Sequence, residues 1–418
     1  MSEQGYTPIQ AKIEASRCLM CADAPCTCNC PSGVDARAFI RKIRFDNMDG
    51  AVRMLKRCNV LAASCSRICP TGTLCGKECT AAGLSHPIDI SGLQQFVMDW
   101  ERKVGLIEPS EPKRDGSKVA VVGSGPAGLG AAAELAIRGH AVTVFEKDDC
   151  FGGMLRQYIP SFRLPTEVVD FEIEFLKKLG VEFIGNRPIE APALLLKEGF
   201  KAVFLATGLH KPQSGEIINA NISGVYQALD LLKNAKNGEL PDLGKRVVVI
   251  GGGDTALDAA RIAKHSGAEC FILYRRTQRE MPAYRNEVDD AWGEGVEFYF
   301  RTIVRSVLGD DSVKGVRCVR IKWLDATAPG VPRSYSIEGT EFSIACDSVI
   351  LAIGQGPSSD FGLRSTPNGL MAVEKESFAT STPGIFAGGD AVLGGGTAAR
   401  AVGHGKQAAV KIDEYLKK

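Results

Sequence analysis

Two glycine-rich turns, opening at Gly123 and Gly251, constrain this 418-residue chain more than any other feature. Each follows a short β-branched run (Val119–Val122, then Val247–Ile250) and opens an alanine-rich stretch of helical texture. Each stretch leads into another apolar run, Ala141–Phe145 in the first case and Cys270–Tyr274 in the second. Strand, glycine turn, helix and strand make a βαβ unit, which implies a parallel sheet. The copies lie about 128 positions apart, whereas solenoid repeats recur every 20–50 residues or so. One nucleotide-binding architecture is therefore used twice.

The first turn reads Gly123-Ser-Gly125-Pro126-Ala127-Gly128, and Glu146 ends its second strand. Gly123 permits the tight turn, Gly125 lets backbone approach a pyrophosphate, and Gly128 lets helix pack on strand. The helix start offers unpaired N–H groups and a positive dipole end to the phosphates. Glu146 is expected to accept from a ribose hydroxyl. The second turn, Gly251-Gly-Gly253-Asp254-Thr255-Ala256, repeats this logic with alanine in the third place. Its following strand ends in Tyr274-Arg275-Arg276 rather than in an acid. Guanidinium forks suit a 2′-phosphate, so NADPH is preferred over NADH at this site.

V-x-V-x-G-x-G-P-A-G followed by a strand ending in Glu resembles the FAD-binding half of the two-dinucleotide flavoprotein reductases. Gly152-Gly153-Met154-Leu155, Arg163 and Ala206-Thr207-Gly208 fall where that family keeps further flavin contacts. The resemblance implies that Asp390, in Gly384-Ile-Phe-Ala-Gly-Gly389-Asp390, holds the flavin's ribityl chain. It also implies that Thr397-Ala398 begins a helix aimed at the isoalloxazine. Hydride transfer between two such cofactors needs little acid–base help. None of the five histidines is nominated as catalytic.

The front of the chain has a different texture. Ten of the fourteen cysteines fall within the first 79 residues. One group is Cys18-x₂-Cys21-x₄-Cys26-x₃-Cys30-Pro31, and the other is Cys65-x₃-Cys69-Pro70-x₄-Cys75-x₃-Cys79. Val34–Ile43 and Asp49–Leu61 have helical spacing and no β-rich run appears, so a small helical module is expected, too thin to bury a core unaided. Disulfides are disfavoured without an export signal. A Cys₄ zinc site remains open. Iron–sulfur clusters fit best, because cysteine runs ending in Cys-Pro resemble the ferredoxin pattern and a flavin–nicotinamide body needs a one-electron outlet.

Composition narrows the class. With 44% hydrophobic and 24% charged residues the chain is an ordinary globular protein. A net charge of +1 gives no footprint for nucleic acid or an anionic membrane. No apolar run reaches bilayer length and the start lacks a signal-peptide core, so a soluble cytoplasmic protein is expected.

Glu14-Ala-Ser-Arg-Cys-Leu-Met-Cys, Cys69-Pro-Thr and Pro87-Ile-Asp-Ile-Ser-Gly-Leu-Gln-Gln-Phe resemble the N-terminal module of dihydropyrimidine dehydrogenases. Glutamate synthase small subunits and electron-bifurcating transhydrogenase subunits share that module. The resemblance implies two [4Fe–4S] clusters, one on Cys18, Cys21, Cys26 and Cys79, the other on Cys30, Cys69, Cys75 and Gln94. Cys28, Cys58 and Cys65 are then left as non-ligands, with Cys65 not excluded by spacing.

The expected fold is α plus α/β: a helical two-cluster domain (1–105), a linker (106–117), and two Rossmann-like domains. The nicotinamide domain (211–345) is inserted in the FAD domain (118–210 and 346–418). The expected function is electron input from NAD(P)H through FAD and the clusters to a partner. That partner is an FMN/iron–sulfur catalytic subunit reducing uracil or thymine. The alternatives are the NADPH-dependent glutamate synthase small subunit and a related NADH/NADPH–ferredoxin transhydrogenase subunit.

Overall fold

The computed structural model describes residues 5–109, 116–213, 215, 217–323, 334–359 and 361–418. The chain divides into two compact units, 1–156 with 161–209 and 357–418, and 157–160 with 210–356. The linker expected at 106–117 lies partly at 110–115, outside the described residues.

The front of the first unit is helical. Helix α1 (Pro8–Ser16) starts with proline and a Thr7–Gln10 capping box. Helices α2 (Ala36–Arg44), α3 (Met48–Cys58), α4 (Ala62–Ile68) and α5 (Ile90–Val104) follow. Asp35, Asn47 and Asp89 cap α2, α3 and α5 through their side chains. Within the folded chain the helices bury an apolar core. Phe39, Ile40, Leu55, Leu61, Leu93 and Met98 are all fully buried, each side chain contributing about 1.5–3 kcal/mol. The helical period was legible, but which helices pack against one another was not.

The chain then forms β1 (Lys118–Val122), α6 (Pro126–Ile137), β2 (Ala141–Phe145), α7 (Thr166–Lys178), β3 (Glu182–Ile184) and β4 (Ala202–Leu205). The second unit begins with β5 (Val225–Gln227), β6 (Arg246–Gly251), α8 (Asp254–His265), β7 (Glu269–Tyr274) and β8 (Glu297–Phe300). Next come β9 (Thr302–Leu308), β10 (Gly315–Trp323), β11 (Ser334–Ser336), β12 (Phe342–Ile344) and β13 (Ser348–Ala352). The first unit resumes with β14 (Ile385–Ala387) and ends in α9 (Ala398–Leu416).

In the first unit the parallel sheet runs β14-β4-β1-β2-β3. Ala120, Val122, Val203, Leu205, Ile385 and Ala387 alternate along its strands and line one buried face. In the second unit the parallel sheet runs β5-β13-β6-β7-β8. A separate antiparallel sheet has β10 paired with β9, β11 and β12. The boundary drawn at 346 in the sequence is thus eleven residues early. Ser348–Ala352 pairs with β5 and β6, so the first unit resumes at 357.

Candidate cofactor sites

Two cavities lie in the cysteine module. The first is lined by Cys18, Cys21, Cys26 and Cys79, with Leu19, Arg37 and Ile40 around them. The second is lined by Cys30, Cys65, Cys69, Cys75 and Gln94, and by Ala399 of α9. The structure therefore gathers each expected set of four side chains on a cavity of its own. Ile90 borders both.

All fourteen cysteines are free thiols. Among the described residues no three His, Cys, Asp or Glu side chains converge on a point that would hold a single ion. A Cys₄ zinc site needs that convergence, whereas a four-iron cluster needs its cysteines spread around a larger space. Burial pushes Cys75 up to about 12, with Cys30 and Cys26 adding to it. Cys69 is raised by its bond to Cys65, by burial and by Cys30 and Cys75. Raised in this way the thiols hold their protons, so a cluster bound here would have to displace them.

Gln94 is buried and donates Nε2 to the Ala62 carbonyl at 2.6 Å. That bond leaves the opposite atom of its amide, the oxygen, for the cavity it lines. Cys65 lines the same cavity, as spacing had allowed. Cys28 and Cys58 line neither.

Helix α9 touches both halves of the unit. A Cβ on Gly403 would lie 2.0 Å from the Pro31 carbonyl, so only glycine admits this close approach to the residue after Cys30. Thr397 caps the helix through Arg400 N–H at 3.0 Å, and Ala398 and Ala399 form its first turn. Lys406 reaches the carbonyls of Ser32 and Cys58. Behind α4, the carboxylate of Glu172 accepts from the backbone of Ala63 at 2.7 Å and Ser64 at 3.1 Å. Ala399, Lys406 and Glu172 carry no short-range sequence signal and were missed.

At the first glycine turn, Gly123 has φ +101° and a Cβ there would meet the Ala206 carbonyl at 2.5 Å. Pro126, Ala127 and Gly128 form the first turn of α6. Gly125, by contrast, faces open space where a phosphate needs room. Gly153 abuts Gly125, and Leu155 is buried beside it. Thr207 and Gly208 follow β4 directly, and Arg163 lies half-buried ahead of α7.

Glu146 is more occupied than expected. Its Oε2 accepts from Ser124 N–H at 2.9 Å and from the Ser124 hydroxyl at 2.6 Å. Its Oε1 accepts from Lys147 and Asp148 N–H. A carboxylate accepts about four hydrogen bonds, so a ribose hydroxyl would exchange with one of these. Asp390 points the other way: its Oδ1 is buried with no hydrogen-bond partner, and burial raises its pKa. An acceptor left so is satisfied by a ligand hydroxyl. Gly389 N–H donates to His404 Nδ1 at 2.9 Å, which holds the turn carrying Asp390.

In the second unit, Gly251 sits at the end of β6 and Gly253 caps α8, whose first residues are Asp254, Thr255 and Ala256. Thr255 Oγ1 accepts from Gln355 at 3.4 Å, and Asp254 accepts from Tyr284 N–H at 3.1 Å. Arg275 and Arg276 leave the end of β7, the first exposed and the second half-buried. Cys270, Cys318 and Cys346 are buried; burial pushes each up to about 12, as for inert thiols.

Residues 117–405 match the family model described as pyridine nucleotide-disulphide oxidoreductase. The chain belongs to that family. Residues 1–106 match the model described as dihydropyrimidine dehydrogenase domain II, 4Fe-4S cluster. The chain is 36% identical over 416 residues to the NAD-dependent dihydropyrimidine dehydrogenase subunit PreT of Escherichia coli K12, covering 98% of this chain and 95% of that one. It is 33% identical to the glutamate synthase [NADPH] small chain of Azospirillum brasilense, covering 99% and 90%. It is also 36% identical to the NADP(+)-dependent formate dehydrogenase subunit beta of Moorella thermoacetica, matching 94% of this chain but only 60% of that longer one.

Among solved structures, FprA of Mycobacterium tuberculosis in complex with NADPH superposes with TM-score 0.60 at 19% identity, over 72% of this chain and 85% of that one. Thioredoxin reductase of Thermoplasma acidophilum (T. acidophilum) gives 0.57 at 21%, over 73% and 100%. At such identity these two speak for the fold alone. The protein is an NAD(P)H-dependent flavin/iron–sulfur oxidoreductase subunit, with FAD, NAD(P)H and [4Fe–4S] clusters as its cofactors. No helix among the described residues is long and apolar enough to cross a membrane.

Proposed function

We propose that this chain is the electron-input subunit of a dihydropyrimidine dehydrogenase. It takes a hydride from NAD(P)H, NADPH by preference. It delivers single electrons to a partner subunit holding FMN and iron–sulfur centres, where uracil or thymine becomes the 5,6-dihydropyrimidine. Bound FAD supplies the exchange between a two-electron hydride and single electrons, which the clusters relay. The residues do the holding. Gly123, Gly125, Gly128 and Asp390 bind the flavin dinucleotide, with Thr397 and Ala398 presenting a helix start. Gly251, Gly253, Thr255 and the Arg275–Arg276 pair bind the nicotinamide dinucleotide. Cys18, Cys21, Cys26 and Cys79 hold one cluster; Cys30, Cys69, Cys75 and Gln94 hold the other.

The observation that carries this reading is the position of α9. It closes on Pro31 through Gly403 and lines the second cavity with Ala399. A cluster held in that cavity would be placed to accept first, and one held in the cavity beyond Ile90 would serve as the exit. Pro87-Ile-Asp-Ile and Leu93-Gln-Gln-Phe favour the pyrimidine enzyme. The Tyr274-Arg275-Arg276 segment favours a second reading, the small subunit of an NADPH-dependent glutamate synthase. Anaerobic copurification with the native partner decides between them. Reduction of uracil or thymine supports the first, and glutamate from 2-oxoglutarate plus glutamine the second.

A further inference from the structure

The segments that flank the lining residues of the exit cavity leave apolar side chains in water. Ile9 and Ile13 share the outer face of α1, one turn apart, while Ala11, Glu14 and Ala15 face inward. Phe45, just past α2, is 70% exposed, and Leu84 is 77% exposed. Two polar contacts link the segments that carry them. The Lys12–Asp46 ion pair, at 2.6 Å, brings the Ile9–Ile13 face beside Phe45. Arg17 donates to Ser85 and to the His86 carbonyl, which brings Leu84 beside the end of α1. Leu19, also exposed, lines the cavity itself between Cys18 and Cys21. A surface in water carries such residues singly; several on segments that flank one cavity mark an interaction site.

Charge gives the partner its chemistry. Helix α2 bears Arg37, Arg41, Lys42 and Arg44 with no acid. Arg41, Lys42 and Arg44 form no ion pair among the described residues. Asp46, the nearest acid after them, is already paired with Lys12.

We propose that this rim docks an acidic protein face surrounding a one-electron acceptor, and that the catalytic partner subunit presents such a face. The inference rests on the electron-input reading and adds to it where, and by what chemistry, the partner binds. Charge of opposite sign speeds the encounter, and the apolar ring excludes water around the exit cluster.

Two haem proteins of opposite charge, acidic cytochrome b5 and basic cytochrome c, serve as surrogate acceptors under anaerobic conditions. Each NAD(P)H becomes NAD(P)⁺ and a proton as two ferric haems become ferrous. At low salt the intact holoprotein should reduce cytochrome b5 with a kcat/KM about tenfold above that for cytochrome c, falling steeply as salt rises. Arg41→Glu with Lys42→Glu should lower the cytochrome b5 value about tenfold and raise that for cytochrome c. Phe45→Ser should lower the cytochrome b5 value alone. Ferricyanide reduction and the cluster spectrum should not change in either variant. Ferricyanide reduction without cytochrome b5 reduction, or cytochrome b5 rates indifferent to salt and to both variants, would overturn the docking proposal. Loss of NAD(P)H-driven ferricyanide reduction in the unaltered holoprotein would instead overturn the electron-input reading.

Discussion

Lys406 of α9 donates its Nζ to the carbonyl of Ser32 at 3.0 Å and also to that of Cys58. One cation of α9 thereby ties down the segment that follows Cys30. Lys406→Met leaves both carbonyls without this donor, at about 1–3 kcal/mol of stability. On rapid anaerobic mixing with NADPH, flavin bleaching should keep its rate while cluster bleaching slows. Equal rates in variant and wild type would show that the tie does not set the transfer geometry.

Glu172 is wholly buried, and burial pushes its carboxyl up to about 7 against the pull of Ser64, Ala63 and Lys56. Unfolded glutamate titrates near about 4.3. Between these values the folded protein holds a proton that the unfolded chain has lost, so stability falls as pH rises through the window. The total is roughly 4 kcal/mol. Glu172→Gln keeps the amide acceptor and removes the titration. Denaturation midpoints between pH 5 and 8 should therefore fall more steeply for wild type than for the variant; parallel profiles would contradict the assignment.

The glycine turns were legible because their chemistry is local: one residue type at a fixed spacing next to a strand. The pairing of cysteines across about fifty residues was legible only through resemblance, since spacing alone leaves their partners open. The limits of the second domain were not. Ser348–Ala352 is an apolar run like those of the first sheet, and nothing within it says which sheet it joins. Lys406, Glu172 and His404 act across long sequence separations, where periodicity carries no information. Glu146 was found but its neighbour Ser124, which supplies two of its four hydrogen bonds, was not.

Gln94 and Cys65 line the same cavity and offer different fourth ligands. A neutral oxygen leaves a cluster less negative than a thiolate does. Gln94→Cys should move one cluster's reduction potential to a more negative value and leave the other in place. Cys65→Ser should preserve both potentials and the iron content. Loss of a cluster in Cys65→Ser, with none lost in Gln94→Ala, would transfer the role to Cys65.

Arg275 and Arg276 stand where the strand of the nicotinamide domain ends. Replacing both by alanine should lower kcat/KM for NADPH by about 10–100-fold, through KM, and leave NADH nearly unchanged. A wild type that prefers NADH strongly would overturn the 2′-phosphate assignment.

Everything above depends on iron in the cysteine module. Protein purified without air should contain about eight iron and eight acid-labile sulfide atoms per chain, and NADPH should bleach its broad absorption beyond the flavin bands. Preparations that bind flavin and oxidise NADPH yet hold no iron or sulfide would contradict electron export by this chain.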